Sequence, residues 1–260
     1  MDIKRFFRSA SDSILSFLYP ARCPRCDRVL PFGREKGQML CEYCQVDLPY
    51  VKEPFCMRCG RQLAKEDEQF CTQCRKWDHP FESGRSLFVY DEDMKKMMYR
   101  FKYSNRREYA EFFAETVKRK RMEWLDLARP GLILPVPMFQ KKQKKRGYNQ
   151  AEDLAKAMSL RLGIPMESDI LVRAKDTAPL KGQTKQEREK NLKDVFSVDV
   201  RRLIPILERN EPLRFLIVDD IFTTGSTADG VSKALTSAVL DLCGEKPKIY
   251  IFSVCIGADT

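Results

Sequence analysis

Two groups of residues have types and spacings that chemistry can use. The first is a set of thiols. Eight of the ten cysteines form four C-x-x-C pairs before residue 75: Cys23/Cys26, Cys41/Cys44, Cys56/Cys59 and Cys71/Cys74. Thiolates at this spacing are metal ligands presented by tight turns, and four of them close a tetrahedral Zn²⁺ site. The order C-x2-C-x14-C-x2-C, then C-x2-C-x11-C-x2-C, makes each half a complete four-cysteine set on the zinc-ribbon plan. A cross-braced pairing would use the same eight residues, so the spacing leaves the pairing open. The second group lies in "FLIVDDIFTTGSTADG", Phe215 to Gly230, where an apolar run ends in two adjacent carboxylates and passes into a hydroxyl-rich turn.

The chemistry of that turn follows from its donors. Gly225 frees the backbone, the next helix is expected to begin near Ser226 or Thr227, and the first N–H groups of a helix lack intrahelical acceptors. With the hydroxyls of Thr223, Thr224, Ser226 and Thr227 they make a cradle for one phosphate monoester. The loop lacks the G-K-[ST] ending of a nucleoside-triphosphate P-loop. Asp219 and Asp220 would repel a phosphate unless they faced sugar hydroxyls or a divalent cation. A phosphorylated ribose satisfies both halves.

The elements that must position these groups can be read from periodicity. Residues 20–80 are rich in cysteine, proline and charge and cannot build an ordinary apolar core, so metal must supply their folding energy. From residue 81 strands and helices alternate. "SLFVY", "GLILPVPM", "ILVRA", "FLIVDD" and "KIYIFSVCI" read as strands. "NQAEDLAKAMSLRLG", stopped by Gly163, and "STADGVSKALTSAVLDLCG" read as helices, and residues 94–125 carry helical spacing. Alternation of this kind predicts an α/β fold with a mainly parallel sheet, and ligands of such sheets sit at the carboxyl ends of the strands. The domains expected are an amphipathic helix over 1–19, a double zinc-ribbon module over 20–80, and an α/β domain over 81–260. Residues 1–19 lack the unbroken apolar core of a signal peptide, and their apolar runs are far too short to span a bilayer.

These residues carry a family resemblance. "VDDIFTTGST" is similar to the PRPP-binding loop of type I phosphoribosyltransferases, and "LPVPMFQKKQKKRGYNQ" resembles the P-V-P…R-G-[FY]-N-Q signature of the ComF family of competence-associated proteins. The resemblance implies a zinc-ribbon module followed by a sheet of the type I phosphoribosyltransferase kind, and it covers nearly the whole chain. It implies that Asp219 and Asp220 are the catalytic carboxylates, engaging the ribose 2′- and 3′-hydroxyls directly or with Mg²⁺. Thr223, Thr224, Gly225, Ser226 and Thr227 would bind the 5′-phosphate. A basic loop with Lys144, Lys145, Arg146, Gly147 and Asn149 would hold the pyrophosphate, and a flexible loop would bring Lys181, Lys185 and Arg188, near Gln186 and Asn191, over it. The reaction implied is phosphoribosyl transfer from PRPP with release of pyrophosphate, linked to DNA uptake in natural transformation. The alternative is a non-catalytic accessory protein that binds single-stranded DNA or a helicase-like competence protein, using the fold as scaffold or sensor.

Charge and the remaining reactive residues narrow the classes further. Net charge is +10, with a dense run at Lys141, Lys142, Lys144, Lys145 and Arg146 and further clusters at "KRFFR", "YSNRR" and "KRKR", a field suited to polyanions. Paired thiols of metal-ligand type place the chain in a reducing compartment, the cytoplasm. The single histidine, His79, is expected to be a linker residue, and no histidine follows it to serve as base for serine or cysteine nucleophilic catalysis. Cys243 and Cys255 are expected to be buried free thiols.

Overall fold

The computed structural model describes residues 20–31, 37–175, 195–209 and 212–258. The helix expected over 1–19 lies outside them. The chain divides into two compact units, one ending at Leu48 and the other beginning at Pro49. The division falls inside the cysteine-rich segment, so each half of the cysteine repeat belongs to a different unit.

The two halves nevertheless start with the same backbone device. In the first unit Cys23 N–H donates to Arg28 O and Asp27 N–H to Cys23 O, both at 2.8 Å. In the second, Cys56 N–H donates to Arg61 O at 2.7 Å and Gly60 N–H to Cys56 O at 2.9 Å. The fourth residue after the leading cysteine takes positive φ in each, 63° at Asp27 and 76° at Gly60. Asp tolerates that region, but Gly60 has a second reason to be glycine: a Cβ there would lie 2.4 Å from Gly84 O. The second knuckle is thus laid directly on the first strand of the sheet.

The second unit contains six strands among the described residues: β1 (Ser83–Val89), β2 (Leu132–Pro135), β3 (Leu171–Arg173), β4 (Phe196–Val198), β5 (Arg214–Phe222) and β6 (Lys248–Ile256). Four of them form a wholly parallel sheet in the order β1-β6-β5-β2. "ILVRA" does not join it; β3 pairs antiparallel with β4 in a separate two-stranded sheet. The helices are α1 (Thr72–Lys76), α2 (Glu92–Tyr103), α3 (Tyr109–Lys120), α4 (Met122–Ala128), α5 (Gln140–Arg146), α6 (Gln150–Leu162), α7 (Val200–Leu207) and α8 (Ser226–Cys243).

Burial explains the layers. In β5 and β6 consecutive apolar residues are buried, as expected for parallel strands covered on both faces. Phe215, Ile217, Ile249 and Ile251 share a core with Val231, Leu235 and Val239 of α8, and Cys56, Cys59 and Cys71 belong to that same cluster. The alternate residues Leu216, Val218 and Phe252 are buried on the other face, where α3 and α6 pack together. The long helical stretch of residues 94–125 is broken into α2, α3 and α4, with Asn105 at φ 52° turning the chain between the first two. Gly163 ends α6 in the left-handed region at φ 71°, as its place in the sequence suggests.

Candidate functional site

A step in the sheet creates the cleft. β2 stops at Pro135, opposite Val218, whereas β5 runs on beside β6 as far as Phe222. The carboxylates therefore do not end their strand, as the sequence suggests, because β6 continues to pair with it beyond Asp220. They lie where the β2 side of the strand has become vacant. Two adjoining cavities of about 280 and 370 Å³ open there and share Asp219, Thr223 and Thr227 in their walls.

The first cavity is the hydroxyl turn. Thr223, Thr224, Gly225, Ser226 and Thr227 all line it, with the Thr224 and Ser226 hydroxyls 2.8 Å apart. Gly225 stands at the N-cap of α8 with φ 80°, and no side chain caps that end of the helix. The first-turn N–H groups, with the positive end of an 18-residue helix behind them, are the donors an anion requires.

The second cavity holds the charges. Lys102 Nζ lies 2.9 Å from Asp220 Oδ2. Burial works against the lysine charge, but Asp220 outweighs it and holds the Lys102 pKa above the usual lysine value. Asp219 Oδ1 accepts from Asp220 N–H at 2.8 Å and has no ion pair among the described residues. Partial solvent contact remains, yet burial of its carboxyl, reinforced by the Asp220 charge, pushes the Asp219 pKa up to about 7. Tyr90, Asn149, Gln150 and Arg173 complete the wall.

The cysteines gather as two separate sets, Cys23, Cys26, Cys41, Cys44 and Cys56, Cys59, Cys71, Cys74, with all sulfurs of a set within 4.8 Å of one another. The cross-braced pairing is thereby excluded. Sulfurs at about 2.3 Å from a tetrahedral Zn²⁺ must lie about 3.8 Å apart, and the Cys26–Cys41 and Cys59–Cys71 sulfurs are separated by 3.7 Å. The donor chemistry agrees. Hydrogen bonding from Cys59 lowers the Cys56 pKa, while contact with Cys56 raises that of Cys74. Four crowded thiols cannot all ionise until a cation binds them, and both sets fit structural Zn²⁺.

Comparison with known proteins agrees with this geometry. Residues 14–75 match the double zinc ribbon domain family. Competence protein F of Haemophilus influenzae is 34% identical over 221 residues, covering 82% of this chain and 90% of that protein. The chain belongs to the competence protein F (ComF) family. Competence protein ComFC of Streptococcus pneumoniae is 25% identical over 79% of the chain and 84% of its own length. DNA utilization protein YhgH of Escherichia coli K12 is 26% identical over 83% of the chain and 91% of its own length. No solved structure matches the chain significantly.

In this ComF-family chain the residues singled out by sequence do not all converge. Lys144 and Lys145 are exposed on α5, a helix rather than a loop, and neither they nor Arg146 line the cleft. The Arg146 guanidinium instead reaches Gln150 and lies over the Tyr103 ring, 4.6 Å from its centroid. Gly147 supplies the left-handed turn after α5, φ 87°, that returns the chain to the cleft. Asn149 is buried there, caps α6 through Ala151 N–H and donates to Val136 O. Lys181, Lys185, Gln186, Arg188 and Asn191 lie outside the described residues.

Several groups at the site were not legible as such. Lys102, Arg173 and Tyr90 come from other elements, with no local pattern announcing them. His79 is no linker residue: it is buried, and its Nδ1 donates to Asp229 Oδ1 at 2.7 Å. Cys255 is buried as expected, but Cys243 is exposed in the last turn of α8. No helix among the described residues is long and apolar enough to cross a membrane.

A folded-state pKa of about 7 at Asp219, above the 3.8 of an unperturbed aspartate, gives a testable pH dependence. The folded protein binds the extra proton between those values, so this residue's contribution to stability is complete below pH 4 and is lost as pH rises through 7. Asp219→Asn is expected to raise the unfolding temperature most at pH 8.5 and by a smaller amount at pH 5, where only part of the contribution has been lost. Thermal scans at both pH values check the sign.

Proposed function

We propose that the cleft binds PRPP, with the 5′-phosphate on Thr223–Thr227 and the ribose hydroxyls at Asp219 and Asp220. The observation that carries this reading is the uncapped N-terminus of α8, lined by hydroxyls and adjoining two carboxylates of which one is already ion-paired. The phosphate meets donors, and the charge of Asp220 is balanced before the ligand arrives. Mg²⁺ would be held by the carboxylates and would supply positive charge to the departing pyrophosphate. Lys102 and Arg173 stand in the same wall as further cations, and Asn149 and Gln150 offer amides. In phosphoribosyl transfer the chain's own task is to orient the ribose and stabilise charge developing on the leaving group.

The test is calorimetric titration of PRPP with Mg²⁺ into zinc-loaded protein. Loss of a charged hydrogen-bond acceptor costs about 1.5–3 kcal/mol, so Asp219→Asn should weaken binding roughly tenfold to hundredfold. Unchanged affinity in that variant would remove the ribose role. The variant's expected gain in stability at alkaline pH separates this loss from unfolding.

A second observation favours a role in handling single-stranded DNA. Tyr99 and Tyr103 are both exposed, with ring centroids 5.0 Å apart, and α5 ends against Tyr103 through Arg146. Lys141, Lys142, Lys144 and Lys145 are exposed on the same helix. Stackable rings beside a lysine-rich helix suit a backbone with unpaired bases, and relatives named for competence and DNA utilization support that partner. Oligonucleotide affinity should fall steeply with salt and weaken further when the four lysines become Ala. Tyr103→Ala should cost about 1–3 kcal/mol if one base stacks there. Fluorescence anisotropy over a salt series measures both, and affinity indifferent to salt would contradict the surface.

A further inference from the structure

We propose that Arg61 and His79 are positioning residues that make the second four-cysteine site part of the phosphate turn, coupling metal occupancy there to phosphate affinity. The inference rests on the phosphoribosyl reading of Thr223–Thr227 and extends it to regulation of that site.

Arg61 is fixed by the metal knuckle. It follows Cys59 by two residues, and its carbonyl accepts from Cys56 N–H at 2.7 Å. Its guanidinium, on a residue only 4% exposed, donates to Gln73 Oε1, between Cys71 and Cys74, at 3.1 Å. The same group donates at 2.6 Å to Thr223 O, at 2.6 Å to Gly257 O, and also to Ala258 O. One buried cation therefore joins both cysteine pairs of the site to the turn and to the end of β6. The contact with Thr223 O sets the plane of the following peptide. In a trans peptide the N–H points opposite the C=O, so the Thr224 N–H faces away from Arg61. It has no acceptor among the described residues and is left for a ligand.

His79 closes the back of the turn. Its side chain is 1% exposed, stacked on Phe81 at 4.9 Å and edge-on to Phe222 at 6.4 Å. Nδ1 holds Asp229 in the first turn of α8, and a Cβ on Gly225 would lie 2.8 Å from the imidazole Cε1. Only glycine fits between the ring and the turn. Arg61 lies inside the metal knuckle, and His79 follows Cys74, the last thiol of the site, by five residues, in a segment that metal binding helps to fold. With that site empty, Thr223 O loses its cation and Gly225 its backing, while the parallel sheet keeps its own ladder.

A purely adhesive role for Arg61 would change stability and leave ligand affinity of the folded protein alone, and the experiment separates the two. Full-length zinc-loaded protein is titrated with ribose 5-phosphate by calorimetry, with metal content assayed in parallel. Arg61→Met holding both zinc ions is expected to bind about tenfold more weakly, a usual size for coupling between sites. Equal affinity at full metal load overturns the proposal. Should Arg61→Met lose metal or fail to fold, the wild type decides, because coupling is reciprocal. Saturating ribose 5-phosphate must make one of the two zinc ions about tenfold harder to extract with a chelator and leave the ion at Cys23–Cys44 unaffected. Identical extraction with and without ligand overturns the coupling. Absence of any ribose 5-phosphate binding by the loaded wild type overturns the phosphate-turn reading itself, and the coupling with it.

Discussion

Two carboxylates side by side within a buried strand, just past the point where its neighbour β2 ends, impose the constraint around which the cleft is organised. Residues 215–218 are apolar and buried between layers, so Asp219 and Asp220 emerge where little water remains to solvate them. The sheet gives way on one side: β2 has ended, and a cleft stands in its place. A lysine from α2 takes one of the charges, and the other is left with its pKa near neutrality. Such an arrangement gives up stability, a pattern common at functional sites.

The duplicated knuckles show how one device comes to serve two ends. Both gather four sulfurs within 4.8 Å of one another and both turn through a positive-φ residue. The first closes its own small unit. The second is absorbed into the α/β core, where three of its cysteines share a cluster with α8 and Gly60 is pressed against β1. Metal-driven folding, which a small ribbon needs for itself, thereby also supports the neighbour that carries the hydroxyl turn.

Local chemistry was legible in the sequence wherever spacing alone dictates structure. The C-x-x-C pairs, the buried strands, the stop at Gly163 and the D-D-x-x-T-T-G-S-T turn all came from residues close along the chain. Three features did not. The amphipathic run of residues 94–125 keeps a helical period across two breaks, so only the left-handed Asn105 and the observed packing divide it. The lysine run forms a helix because nothing in its composition opposes one, although its place after a strand suggests a loop. The contacts that complete the site, Lys102 with Asp220, Arg61 with Thr223 and His79 with Asp229, join residues 118, 162 and 150 positions apart in the chain. Lys, Arg and His are ordinary in the segments that hold them, and only the tertiary fold selects their partners.

The central claim is that the turn opening α8 is a phosphate site, and amide hydrogen exchange addresses it most directly. Exchange should be followed over residues 222–229 with and without ribose 5-phosphate. The account predicts slowed exchange at the amides of Thr224 to Ala228, with the exposed lysines of α5 unaffected. Protection confined to α5, with none in the turn, would contradict it.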